Sequence, residues 1–225
     1  MTNVIPRWSG WAGALLLAGT SGPVAAQRTV PVANEPRHHA QLENTVVRVF
    51  DVIVPVGDTT LYHVHTNAYT YVSVGPASLT AQVLGADPFP LVLRDGEVRF
   101  SPPVTHRVAN PAAAPFHNVT IELLSRRDRA VALPPVPAGD SVVLENDRLR
   151  AVHTLVRADE VHPVPSDERT LLVFLSAGVL HLAGGAEPVT INARPGSFHW
   201  VGGTGPRQIH NASAGPIAML TLTLK

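Results

Sequence analysis

Tyr62-His63-Val64-His65-Thr66-Asn67-Ala68-Tyr69-Thr70 sets two imidazoles two residues apart in a run of strand-forming residues. In a strand, residues i and i+2 leave the same face, so His63 and His65 project together. Two neutral imidazoles side by side begin a site for a borderline transition metal. The chain has no cysteine, so neither thiolate ligands nor disulfides enter the account. One hundred residues on, His162-Pro163-Val164-Pro165-Ser166-Asp167-Glu168-Arg169-Thr170 matches the first segment in shape. At that offset Pro163 and Pro165 stand where His63 and His65 do, and proline cannot bind a metal. The chain reads as a duplicated fold, one copy equipped for metal chemistry and the other stripped of it.

The elements that position these residues are duplicated as well. Leu42-Glu43-Asn44 recurs as Leu144-Glu145-Asn146, each before an alternating strand-like run. Gly96 opens Gly-Glu-Val-Arg-Phe and Gly196 opens Gly-Ser-Phe-His-Trp, while Asn110 and Pro115 pair with Asn211 and Pro216. A period of this length is a duplicated domain, too long for a solenoid unit. Short β-rich runs follow one another at Val46–Val54, Tyr69–Val74, Leu79–Leu84, Val98–Phe100, Val119–Leu124 and Ile217–Leu224, with Gly, Pro, Asp and Asn between them. No long run carries a helical period, so the pattern predicts an antiparallel sandwich or barrel. Residues 27–41 are polar and proline-containing and read as an irregular lead-in. Arg126–Asp140, with Leu-Pro-Pro-Val-Pro-Ala-Gly, reads as a linker.

At 225 residues the chain is long enough for two domains. Its 45% hydrophobic and 15% charged content suits a compact fold, and a net charge of zero without a basic block argues against nucleic-acid binding. Residues 1–26 read as a signal peptide: Arg7, an apolar centre from Trp11 to Leu17, and Val24-Ala25-Ala26 before Gln27. The apolar run is too short and interrupted for a membrane span. The expectation is a periplasmic or secreted protein with no stable membrane insertion after cleavage. The divisions are then 1–26 signal peptide, 27–125 N-terminal repeat with the metal site, 126–140 linker and 141–225 metal-free C-terminal repeat.

The pattern resembles the cupin superfamily, and its duplication resembles a bicupin. Gly57, His63 and His65 fall in place in the first cupin motif, with Tyr69 at the usual glutamate position and Gly75 closing it one residue early. Gly96, Pro102, His106 and Asn110 match the second motif, although Val104 replaces a glycine and the Pro-to-His spacing is one residue short. The resemblance implies an all-β fold of two tandem jelly-roll barrels, with His63, His65 and His106 as metal ligands. His106, on a later strand, would converge from another side. Thiol and diketone dioxygenases of the superfamily resemble this three-histidine set, which leaves positions open for substrate, oxygen or water. The expected cofactor is one divalent transition metal: copper, iron, zinc, nickel or manganese. Tyr69 is the candidate catalytic residue, steadying bound oxygen or substrate through its hydroxyl. Phenolate ligation and plain packing are its other readings. Tyr71 shares its strand face.

Other side chains have plainer readings. His38-His39 reads as part of a solvated tail that could reach the pocket mouth. His117 could be a fourth ligand or acid–base group but reads as a satisfied strand histidine. Arg169 and Arg207 could line an anion cavity in the second repeat or pair with Asp167 and Glu168. Asn118 and Asn211 open glycosylation sequons in strand context. The leading expectation is an exported oxygenase-type oxidoreductase acting on a small organic substrate. A sugar- or carboxylate-binding or structural cupin, or a zinc-dependent lyase or hydrolase, is the alternative. A homodimer is compatible with the sequence.

Overall fold

The computed structural model describes residues 28–126, 133–165, 169–203 and 205–225. The expected signal peptide and residues 127–132 of the expected linker lie outside the described residues. The first half forms β1 (Thr29–Pro31), β2 (His38–Glu43), β3 (Val47–Val54), β4 (Tyr62–His65), β5 (Tyr69–Val74), β6 (Ala77–Val83), β7 (Phe89–Leu93), β8 (Val98–Ser101), β9 (Val104–Ala109) and β10 (Phe116–Leu123). The second half forms β11 (Ser141–Glu145), β12 (Leu149–Val156), β13 (Val161–Val164), β14 (Thr170–Phe174), β15 (Gly178–Ala183), β16 (Val189–Ala193), β17 (Phe198–Val201), β18 (Arg207–Asn211) and β19 (Ile217–Leu224). The fold is all-β, two jelly-roll barrels in tandem.

In the first barrel, sheet β2-β3-β10-β5-β8 faces sheet β1-β4-β9-β6-β7. In the second, β11-β12-β19-β14-β17 faces β13-β18-β15-β16, in the same order apart from the extra β1. The repeated sequence motifs make the same structures. Asn44 Oδ1 accepts the Val46 and Val47 amide N–H at 2.8 and 2.9 Å, and Asn146 Oδ1 accepts those of Arg148 and Leu149 at 2.8 and 3.0 Å. Each is a side-chain turn that starts the next strand. Asn110 Nδ2 donates to the Val54 and Ala114 carbonyls, and Asn211 Nδ2 to those of Val156 and Gly215. Even the bulge is repeated, between Ala40 and Leu42 and between Val142 and Leu144.

The period-two pattern of β3 divides its side chains between two cores. Phe50, Val52 and Val54 point into the first barrel, whereas Val47 and Val49 pack outward against Leu149, Leu220 and Leu222 of the second. The barrels therefore share an apolar core built from the outer faces of their larger sheets. Equivalent turns lock the contact reciprocally. Gly96 (φ 69°) lies over Leu175, so close that a Cβ would come within 2.7 Å of it, and Gly196 (φ 82°) lies directly over the His117 ring.

The polar lead-in is more ordered than its composition suggests. β1 runs parallel to β4, Val32 enters the first core, and β2 begins at His38. Edge pairing with β4 and the buried Val30 and Val32 hold this segment.

Candidate metal centre

β4 is a short strand whose neighbour β9 fixes its register: His63 faces His106, Val64 faces Thr105 and His65 faces Val104. The alternation sends His63 and His65 inward, 1% and 2% exposed. His106 follows on the same sheet, its ring centroid 4.5 Å from that of His63 and 5.3 Å from that of His65. A fourth imidazole arrives from the opposite sheet. His38, at the start of β2, is 9% exposed with its ring 4.5 Å from His63 and 6.2 Å from His65. One ring nitrogen each from His38, His63 and His65 lie within 4.8 Å of one another. The solvated-tail reading of His38 is thus corrected, while its neighbour His39 is exposed. The repeat carries one signal for it: extending the Leu42/Leu144 match by four residues pairs His38 with Asp140, whose side chain is 6% exposed.

Three of these four histidines are held from behind. His63 Nδ1 donates to the Leu61 carbonyl at 2.9 Å, which fixes the tautomer with a lone pair on Nε2. That Nε2 is buried without a hydrogen-bond partner. His38 Nδ1 lies 2.7 Å from Glu35 Oε2, and His65 Nδ1 lies 3.3 Å from Glu122 Oε1. Burial raises the Glu35 pKa, but bonds from His38 and from the Arg37 and Leu61 amides outweigh it and bring it below the usual range. Glu122 is 1% exposed and meets Arg48 at 3.2 Å. Carboxylates and carbonyls behind imidazoles are the arrangement that orients histidines for a metal.

Burial also keeps His63, His65 and His106 neutral, as metal ligands must be. His63 is pushed down to about 2, by burial and then by His106 and His38. His106 falls to about 3, by burial and by His65 and His38. Burial lowers His65 against the opposing pull of Glu122. An orphaned buried nitrogen, converging neighbours and neutral rings fit a transition-metal ion.

Tyr69 stacks on His65, with ring centroids 3.9 Å apart at 19°, and its hydroxyl lies 3.5 Å from His106 Nε2. Burial raises its pKa, so the phenol stays protonated. Tyr71 follows on the same face and is pushed up to about 12 by burial. Both line a cavity of about 240 Å³ together with the four histidines, Arg99, Asn118 and Thr120.

The remaining candidates lie elsewhere. His117 points out of the barrel, where its Nε2 meets Asp51 Oδ1 at 2.6 Å. It is a satisfied strand histidine. Asn118 and Asn211, 5% and 0% exposed, offer no accessible glycosylation site in the folded chain. Asp167 and Glu168 lie outside the described residues.

The second barrel corrects one alignment. Arg207 precedes Asn211 as His106 precedes Asn110, and Arg207 faces Val164. Val164, not Pro163, therefore occupies the place of His63. Pro163 is exposed, while the inward residues of β13 are His162 and Val164. His162 Nε2 bonds Asp140 Oδ2 at 3.0 Å. Leu172, Phe174, Leu180, Ile209 and Met219 fill the space that is a cavity in the first barrel. Arg207 is turned to the Gly202 carbonyl. These side chains correct the reading of an anion cavity there.

No family model matches the sequence, and no curated protein matches it. Solved structures do. AerE from Microcystis aeruginosa superposes with a TM-score of 0.56 at 12% identity, over 85% of this chain and 98% of that one. Salicylate 1,2-dioxygenase from Pseudaminobacter salicylatoxidans gives 0.56 at 14% identity, over 86% of this chain and 78% of that one, and is also known as an adduct with gentisate. A cupin 2 conserved barrel domain protein from Leptotrichia buccalis gives 0.51 at 10% identity, over 84% and 88%. At these identities the likeness speaks for the fold, which is the cupin-type barrel that the His63, His65 and His106 motifs resemble.

Proposed function

We propose that the protein is an exported bicupin whose first barrel holds one transition metal and acts as an oxygenase-type oxidoreductase on a small organic substrate. The observation that carries this reading is His63 Nε2, buried and unpartnered among His38, His65 and His106. Burying such a nitrogen costs about 1–3 kcal/mol unless something binds it. His63, His65 and His106 form the proposed ligand set, and His38 is positioned to join it. When bound, the metal would supply Lewis-acid or redox chemistry. The protein's own residues do the rest. Tyr69 keeps its proton and offers its hydroxyl as a donor beside His106, while Val52, Val54, Phe116 and Tyr71 give the cavity apolar wall. A neighbour of the same fold that is a salicylate dioxygenase supports the oxygenase reading. The metal-free second barrel contributes the shared core.

A second reading, a non-catalytic ligand-binding cupin, is favoured by one observation: no carboxylate lines the cavity as an acid–base group. Loading the protein with iron(II) or copper and recording oxygen uptake with a panel of small phenols and carboxylates separates the two. Uptake that Tyr69→Phe lowers supports the oxygenase. A redox-inert centre that still binds panel members supports the binding module.

A further inference from the structure

We propose that the cavity of the first barrel selects a small organic anion, a carboxylate, and that Arg99 is the residue that recognises it. The inference rests on the metal-binding reading of the same cavity. Among its lining residues Arg99 is the one with a permanent charge, which Glu97, outside the lining, pairs at 2.7 Å, and no aspartate or glutamate lines the cavity itself. The carboxylates near the metal lie behind the histidines: Glu35 on His38, and Glu122 on His65, where Arg48 offsets its charge. A divalent ion held by the histidines would add positive charge to the cavity, which disfavours cations and favours an anion.

The placement of Arg99 fits this role. It sits on β8 directly opposite Tyr71, as Ser101 sits opposite Tyr69, so the four share the inner face of the sheet. Its Nε donates to Glu97 Oε1 at 2.7 Å and its Nη2 to the Val92 carbonyl at 3.1 Å. Those two contacts fix the plane of the guanidinium. A planar fork held in advance binds a carboxylate with less loss of freedom than a mobile lysine. Tyr71, its phenol protonated, adds a donor beside it. The cavity volume of about 240 Å³ equals roughly eight waters of liquid, below the usual range for drug-sized ligands. Tyr69, Tyr71, Phe89 and Phe116 give it flat walls that suit a planar molecule.

The test uses benzoate and its uncharged analogue benzamide, titrated calorimetrically into the zinc-loaded protein and into Arg99→Gln and Arg99→Lys. The expected result is benzoate binding at least about tenfold tighter than benzamide. Arg99→Gln should remove that preference, Arg99→Lys should keep part of it, and zinc stoichiometry and melting temperature should not change. Equal binding of the two probes, no benzoate binding in the millimolar range, or an unchanged preference in Arg99→Gln overturns the proposal. Failure of zinc to load would count against the metal reading alone, because the same preference and its loss in Arg99→Gln are then read in the metal-free protein.

Discussion

His38 and His63 come from opposite sheets of the first barrel, yet their ring centroids lie 4.5 Å apart. The metal centre is therefore a seam between two sheets. His38, at the start of β2, belongs to the site as much as the His-x-His strand does.

From this follows a contrast between adjacent residues. His38→Ala should weaken metal binding by an order of magnitude or more, whereas His39→Ala, at an exposed position, should leave it unchanged. Competition with a chromophoric chelator measures both. Equal effects would remove His38 from the centre.

Glu122 and Glu35 orient His65 and His38 without lining the cavity. Replacing either by glutamine should cost about 10–100-fold in metal affinity, the usual effect of removing a group behind a ligand. Far-ultraviolet circular dichroism should show an intact fold. Unchanged affinity in both variants would show that they have no orienting role.

The metal-free protein should be acid-sensitive. His63 and His106 have folded pKa values of about 2 and about 3 against an ordinary 6.5. The unfolded chain then binds more protons between those limits, so stability is full above about 6.5 and falls as pH drops through it. Each histidine contributes about 1.4 kcal/mol per pH unit well below 6.5. Urea unfolding at pH 7.5 and 5.5 should show the loss, and His63→Asn should reduce it. A flat profile would contradict the burial argument.

The two barrels should unfold as one. Leu222, 1% exposed, belongs to the core that joins β19 to β3 and β10. Leu222→Ala should destabilise by about 2–5 kcal/mol. A single cooperative transition followed by fluorescence and by metal release is the expected result; two separated transitions would show independent barrels.

Much of this was legible in the sequence. The duplication, the all-β class and the inward pairing of His63 with His65 followed from repeat spacing and period-two geometry. Observed strands Tyr69–Val74 and Ile217–Leu224 match their expected bounds. What escaped was nonlocal. His38 lies in a polar run with no apolar alternation, and it is buried by its partners Glu35 and His63. The Pro163 alignment failed by one residue, which in a strand exchanges the two faces. Only the β13–β18 register, with Val164 opposite Arg207, reveals it.

The most direct test is elemental analysis of residues 27–225, purified without chelating resin beside His63→Ala. The account predicts about one equivalent of a transition metal in the wild type and none in the variant. No metal in the wild type after reconstitution, or the same content in both proteins, would contradict it.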